Sequence, residues 1–367
     1  MFNEETLNKY KPIDNKIFSL IDDEGKPLDK KWQPSLSKDA IIKAYKDLLF
    51  ERTADYMAIS YQRQGRMFTY PPNLGQEAIH IASGMVIKHE DWLVPAFREL
   101  GAWLAKGVSL KEIFLYFKGN EDGSRFEGAN RMLPVSVPIA SQLVHAAGIG
   151  YAMNYKQEKA AVFAYVGDGG TSEGDFHEAL NFAAVWNAPV VFIVQNNQFA
   201  ISVPLRMQTK SINLAVKGVA YDVPSIVVDG NDIFAMYEVL EYARNHAISG
   251  KGPMLIEAKT FRVGAHTTSD DPTKYRTKEE EEAWAIKDPL KRLKGYLAHN
   301  KLHDFANEDA MIAEFKKKID AEFEAAEKHG DYKLDDVFGY MYAELPSELK
   351  RQKNAIENYY RNSGGAK

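Results

Sequence analysis

Between Ala160 and Phe261 the chain alternates apolar, β-rich runs with segments of helical period, and this alternation limits its possible folds more than any other feature. The runs are Ala161 to Val166, Val190 to Val194, Ile226 to Val228 and Met254 to Phe261. One intervening helix carries Phe176, Leu180, Ala183 and Ala184, and another carries Ile233, Met236, Tyr237, Leu240 and Ala247. A strand with one wet face alternates apolar and polar residues, whereas near-continuous apolar strands are covered on both faces. Helices connecting parallel strands provide that cover. The expected fold class is α/β, a mostly parallel sheet with helices on both faces, whose ligands sit beyond the carboxyl ends of the strands. A hydrophobic share of 45% supplies the core that such a sheet needs.

The flanks read differently. Residues 1–36 are polar, with the turn-like Asp22-Asp23-Glu24-Gly25, and are expected to form an N-terminal arm lying over a partner rather than a core element. Ser37 is a plausible N-cap for a helix with Ile41, Ile42, Tyr45, Leu48, Leu49 and Tyr56 on one stripe, which opens an α/β domain over 37–290. The stretch from Phe117 to Pro138 has no period, and loops of that length tend to be functional. A small-residue helix with Ala146, Ala147, Gly148, Gly150 and Ala152 follows and reads as a packing element. Residues 291–367 form a charged, helical C-terminal extension, and Glu279 to Glu282 read as a solvated helix face.

Charge and composition exclude several functions. A formal net charge of −5 argues against nucleic acid and polybasic membrane contacts, which require a positive surface. Zero cysteines exclude disulfides, cysteine-ligated metals and thiol nucleophiles, so catalysis falls to other groups or to a cofactor. Met1 to Leu20 lacks arginine and carries Glu4, Glu5 and Asp14, unlike a signal or transit peptide. The most apolar window, Val137 to Tyr151, is too short and too polar to span a bilayer. A cytoplasmic protein without membrane contact is expected.

The chemistry concentrates at Gly167-Asp168-Gly169-Gly170-Thr171-Ser172-Glu173-Gly174, directly after an apolar strand and before a helix. Glycines there let backbone N–H groups approach a phosphate, and the helix start favours an anion. Ser172 stands where a dinucleotide fingerprint has its third glycine, and no P-loop pattern exists in the chain. Asn196 and Asn197 follow the next strand. With the two strands adjacent, one carboxylate, one amide oxygen, a main-chain carbonyl near Phe199 and diphosphate oxygens make the oxygen shell that Mg²⁺ prefers.

Gly-Asp-Gly followed at this distance by Asn-Asn resembles the thiamine-diphosphate motif. Together with Phe261-Arg262-Val263-Gly264-Ala265-His266, Ser269-Asp270-Asp271-Pro272, Gly75-Gln76-Glu77-Ala78 and Ala96-Phe97-Arg98-Glu99, it resembles the alpha subunits of 2-oxo acid dehydrogenases. The resemblance implies a thiamine-diphosphate-binding fold with Mg²⁺ held by Asp168, Asn197 and the Phe199 carbonyl, and with Gly169 and Gly170 beside the diphosphate. It implies that Arg98 and Arg262 pair with the diphosphate oxygens, with Phe97 next to them, and that Ile139 meets the aminopyrimidine through its backbone. His266 would stand near the reacting thiazolium as acid, base or donor, and 264–276 would be a mobile loop that orders on cofactor binding.

The resemblance also implies a beta subunit that supplies the missing half of the site in an α2β2 assembly, and docking to a dihydrolipoyl acetyltransferase core. The activity expected is oxidative decarboxylation of a 2-oxo acid with reductive acylation of a lipoyl group. Glu344-Leu345-Pro346-Ser347-Glu348-Leu349 is similar to the bacterial pyruvate branch, while branched-chain and acetoin enzymes share the cofactor motifs. Phe97 departs from the tyrosine common at that position. Thr267 departs from the serine that mitochondrial relatives phosphorylate, so kinase regulation is not expected. Two rival classes remain, a nucleotide-binding dehydrogenase and a non-catalytic scaffold; a scaffold has no need of Asp168, Asn197, Arg262 and His266 together.

Overall fold

In the structure, a computed structural model describing residues 2–303, 305–330 and 332–363, the chain forms eight strands among the described residues. They are β1 (Ile17–Phe18), β2 (Trp92–Val94), β3 (Val162–Gly167), β4 (Val190–Asn196), β5 (Phe199–Ala200), β6 (Val203–Pro204), β7 (Ser225–Asp229) and β8 (Met254–Lys259). Six make one parallel sheet in the order β1-β7-β8-β4-β3-β2, and β5 and β6 form a small antiparallel pair.

The apolar runs became strands because the sheet is covered on both sides. Along β3, Phe163 and Tyr165 join one core cluster while Val162, Ala164 and Val166 join the other, and β4 divides in the same way. Helices Ser141–Tyr155 and Gly174–Val185 cover the second face. Helices Lys38–Arg63, Glu77–Val86 and Ile233–His246 belong to the first. Ser37 caps Lys38–Arg63 by accepting from Ala40 N at 3.2 Å. Ile41, Tyr45, Leu48 and Leu49 are buried in that helix, but Tyr56, at the same helical angle, is 55% exposed, because farther along the helix buries another side through Ala54, Ala58 and Tyr61. In the small-residue helix Ala146, Ala147 and Gly150 pack inward, whereas Gly148 and Ala152 face outward.

The N-terminal arm is corrected by the structure. Ile17–Phe18 extends the sheet beside β7, and Phe2, Phe18 and Ile21 enter the core. Asp232 secures the arm by accepting from Leu20 N at 2.6 Å and Ile21 N at 2.9 Å. A two-residue strand among lysines and aspartates has too little apolar length to register as a run. At the other end, helices Pro289–His299 and Glu308–Glu327 bury Leu293, Leu297, Ile319 and Phe323 in the first core cluster, so no separate core begins near 290. Helix Ser347–Asn362 buries none of its residues. No helix among the described residues is long and apolar enough to cross a membrane.

Candidate active site

β3 and β4 are adjacent and parallel with Gly167 opposite Gln195, so the chain leaves both strands at the same edge and brings Asp168 beside Asn197. The glycine segment does not enter the helix directly. It forms a 3-10 turn, Asp168–Ser172, before helix Gly174–Val185, and Thr171 Oγ1 donates to the Asp168 carbonyl at 2.8 Å. Consecutive residues at a strand end point in opposite directions, which separates the two asparagines. Asn196 turns away and donates to Glu257 Oε1 at 2.6 Å, while Asn197 faces Asp168.

Asn197 has two possible amide orientations. With the nitrogen inward it donates to Asp168 Oδ1 at 3.3 Å and to the Phe199 carbonyl at 3.2 Å. With the oxygen inward its nitrogen donates to Gln76 Oε1 at 3.1 Å, and three oxygens then converge with no proton between them. That second state suits a small divalent cation, whose oxygen ligands crowd to similar separations. Burial raises the Asp168 carboxyl to about 6, opposed by the hydrogen bond from Gln208 and by the Arg262 charge. Among the described residues no cluster of three or more His, Cys, Asp and Glu could hold a metal, so a cation here would rest on one carboxylate with amide and carbonyl oxygens.

Two buried guanidinium groups border this cluster. Arg98 donates to the Pro72 carbonyl, to the His266 carbonyl and to His266 Nδ1, the last at 3.1 Å. Arg262 donates to the carbonyls of Phe199 at 3.1 Å and Ile201 at 2.6 Å and to Tyr275 Oη at 3.0 Å, and its Nε is buried without a partner. Burial and the Arg262 charge together depress Arg98 to about 9, and burial lowers Arg262 as well. Among the described residues neither forms an ion pair. Asp55 and Glu99 act on Arg98 and Asp168 on Arg262 only from beyond contact. Two buried cations without a carboxylate in contact are unfavourable unless an anion joins them, and the fork of an arginine matches a phosphate.

Gly169 and Gly170 sit where side chains would not fit. A Cβ on Gly169 would lie 2.7 Å from Ala200 Cβ, and one on Gly170 would lie 2.3 Å from Val166 Cγ2 and 3.2 Å from Ile139 Cγ2. Ile139 therefore stands over the glycine turn, half exposed, ahead of Ala140, whose φ of 71° turns the chain into the next helix. The Phe97 ring lies 5.1 Å from the Arg98 guanidinium, where its π face offsets part of the charge. His266 is partly buried, and burial plus the charges of Arg98 and Arg262 lower it to about 4, so it is neutral near pH 7. Accepting from Arg98 at Nδ1 leaves its proton on Nε2.

The segment 264–276 is strapped down. His266 N donates to Asp270 Oδ2 at 2.8 Å, Tyr275 Oη donates to the same carboxylate, and Thr268 N donates to the Tyr70 carbonyl at 2.9 Å. The structure thus gathers Phe97, Arg98, Ile139, Asp168, Gly169, Gly170, Asn197, Phe199, Arg262 and His266 around one sheet edge.

The sequence assigns no role to other participants, although Gln76 and Glu99 lie in segments that carry the resemblance. Gln76 and Gln208 contact Asn197 and Asp168. Beneath Arg98, Glu99 Oε2 accepts from Ala96 N at 3.0 Å and Arg98 N at 3.1 Å. Gln195 donates to its other oxygen, His80 bridges Gln195 at 2.7 Å and Glu51 at 2.6 Å, and all four side chains are buried. Burial disfavours a charged His80, but the Glu51 carboxylate outweighs it and raises the imidazole to about 9.

Residues 45–334 match the family described as Dehydrogenase E1 component. The pyruvate dehydrogenase E1 component subunit alpha of Acholeplasma laidlawii is 43% identical over 340 residues, covering 92% of this chain and 99% of that protein. The protein of the same name from Mycoplasma genitalium is 38% identical, over 94% of this chain and 96% of its own length. The 3-methyl-2-oxobutanoate dehydrogenase subunit alpha of Mycobacterium tuberculosis is also 38% identical, over 94% of each. With its parallel sheet and its site residues gathered at the carboxyl edge, this chain belongs to the dehydrogenase E1 component family.

Proposed function

We propose that this chain is the alpha subunit of a thiamine-diphosphate-dependent pyruvate dehydrogenase, binding the cofactor's diphosphate and Mg²⁺ and working only with a beta subunit. One observation carries the reading: two unpaired buried guanidinium groups adjoin three convergent oxygens, a pairing that a metal-bound diphosphate satisfies at both ends. Asp168, Asn197 and the Phe199 carbonyl would ligate Mg²⁺, Arg98 and Arg262 would clamp the diphosphate, and Gly169 and Gly170 would leave room for it. Ile139 would meet the aminopyrimidine through its backbone.

Bound thiamine diphosphate supplies the electron sink for decarboxylating a 2-oxo acid. The chain's own part is to bind, orient and stabilise developing charge. Neutral His266, with a proton on Nε2, can donate a hydrogen bond to negative charge developing on a substrate oxygen, and it is the catalytic residue of this chain. Reductive acetylation of lipoyl groups on a dihydrolipoyl acetyltransferase core would complete the reaction. Pyruvate is favoured by the names of the Acholeplasma and Mycoplasma relatives. A branched-chain substrate is the second reading, supported by the Mycobacterium relative at 38% identity.

The test is decarboxylation of pyruvate and of branched 2-oxo acids by this chain alone and with its beta subunit, with thiamine diphosphate and Mg²⁺ present. Activity in the mixture alone, strongest with pyruvate, is expected. A branched preference changes the substrate but keeps the mechanism; full activity of the single chain overturns the shared site, and no activity in a folded complex favours a scaffold.

A further inference from the structure

Two glutamines flank the oxygen cluster, each engaging the side of a candidate ligand that points away from its centre. Gln208 Nε2 donates to Asp168 Oδ2 at 2.9 Å and to the Val203 carbonyl at 3.2 Å, while the other carboxylate oxygen, Oδ1, faces Asn197. Gln76, fully buried, accepts at Oε1 from Asn197 Nδ2 at 3.1 Å, which turns the Asn197 oxygen toward Asp168 and Phe199. Both glutamines retain a buried polar atom with no partner, Nε2 of Gln76 and Oε1 of Gln208. Neither is held in place by a full set of bonds of its own, so the contact to the ligand is a substantial part of what each side chain does.

The physical need for each contact differs. Without a cation, an asparagine beside a carboxylate and a carbonyl gains two hydrogen bonds by turning its nitrogen inward, at 3.3 and 3.2 Å, and in that state it cannot ligate metal. An acceptor behind it opposes the turn for as long as Gln76 keeps its own Oε1 toward Asn197. A carboxylate can bind through one oxygen or two; Ca²⁺ tolerates both, whereas Mg²⁺ demands near-octahedral geometry. A donor on Oδ2 leaves only Oδ1 free.

We infer that Gln76 and Gln208 are positioning residues that make this cluster selective for a small octahedral divalent cation, Gln76 holding the Asn197 oxygen inward and Gln208 restricting Asp168 to one coordinating oxygen. The inference rests on the metal site proposed above. Residues that orient metal ligands typically contribute about 10- to 100-fold in affinity.

The test measures Mn²⁺ binding by electron paramagnetic resonance on the assembled alpha–beta complex with thiamine diphosphate, followed by displacement with Ca²⁺. Gln76→Leu should weaken Mn²⁺ by about 10- to 100-fold, whereas Gln76→Glu, which keeps an acceptor, should bind near the wild-type level. Gln208→Leu should let Ca²⁺ displace Mn²⁺ at a concentration about 10-fold lower than in wild type. Asp168→Ala distinguishes the two levels of argument. Loss of Mn²⁺ in Asp168→Ala, with both leucine variants like wild type, overturns the positioning roles and leaves the metal site standing. Normal Mn²⁺ binding by Asp168→Ala overturns the metal site itself. Should Gln76→Leu fail to assemble, a Mn²⁺ loss of about 10-fold or more in Gln76→Glu, or unchanged Ca²⁺ displacement in Gln208→Leu, still refutes the inference.

Discussion

Binding inorganic diphosphate should raise the pKa of His266. In the structure burial is the main cause of its fall from 6.5 to about 4, and Arg98 and Arg262 add to it. At about 1.36 kcal/mol for each pH unit the fall would be worth about 3.4 kcal/mol, and solvent screening of this partly exposed ring reduces that to about 1 to 2 kcal/mol. The group is basic and depressed on folding, so the folded state holds fewer protons; stability is complete above about pH 6.5 and is lost as the pH falls toward 4. The nearer guanidinium donates to Nδ1 at 3.1 Å. A unit charge about 4 Å away is worth about 1 kcal/mol in water and about 4 kcal/mol at an effective dielectric of about 20; this partly exposed ring lies toward the lower figure, so neutralising the charge returns about one pH unit. The assay is the pH profile of diethyl pyrocarbonate modification at His266, followed by peptide mass spectrometry. Its midpoint is read from the shape of the profile, so shielding of the ring does not distort it. Without diphosphate the rate should be flat above pH 5; with diphosphate and Mg²⁺ a midpoint should rise into the measurable range. A midpoint near 6.5 without ligand, or no movement on adding it, refutes the electrostatic coupling.

Gly170→Ala places a methyl 2.3 Å from Val166 Cγ2 and 3.2 Å from Ile139 Cγ2, and overpacking of this kind costs about 1 to 3 kcal/mol. Thermal unfolding should show that loss together with weaker thiamine-diphosphate binding, and a variant that melts with wild type would refute the packing argument. Tyr275→Phe removes the hydroxyl that joins Arg262 to Asp270, and hydrogen bonds to charged groups are worth about 1.5 to 3 kcal/mol. Trypsin should then cut at Lys274 and Arg276 at least about 10-fold faster than in wild type, with cofactor and Mg²⁺ slowing both; equal rates would show that the hydroxyl does not hold the segment.

The strands were legible where burial on both faces made their sequences continuous. Val190–Asn196 is buried throughout, and its run is unmistakable, whereas Ile17–Phe18 has no run to read. Asp168 and Asn197 could be placed together because both follow strands, and the resemblance selects Asn197 over Asn196; the physical reason for that choice is the strand's final direction and the presence of Glu257 on β8. Gln76 and Asn197 are 121 residues apart, and His80 and Gln195 are 115 apart. No local pattern announces such pairs, because the sheet creates them. The arginines show a different limit: a sequence gives an arginine its charge, but only the fold shows that Arg98 and Arg262 are buried with no carboxylate in ion-pair contact among the described residues.

The lack of a carboxylate in contact bears on why the proposed ligand must be a metal-bound anion rather than either ion alone. A free cation would satisfy Asp168, Asn197 and the Phe199 carbonyl but would add positive charge beside Arg262, which already donates to that carbonyl at 3.1 Å. A free anion would answer the guanidinium groups but would face the Asp168 carboxylate, whose protonation burial already promotes. Each ion alone therefore improves one half of the site and worsens the other. Bound together, the metal neutralises Asp168 and the anion neutralises the arginines, so under the proposed reading each must raise the affinity of the other. Arg262, which touches the oxygen cluster and lowers Arg98 through its charge, is the residue through which the two halves are coupled.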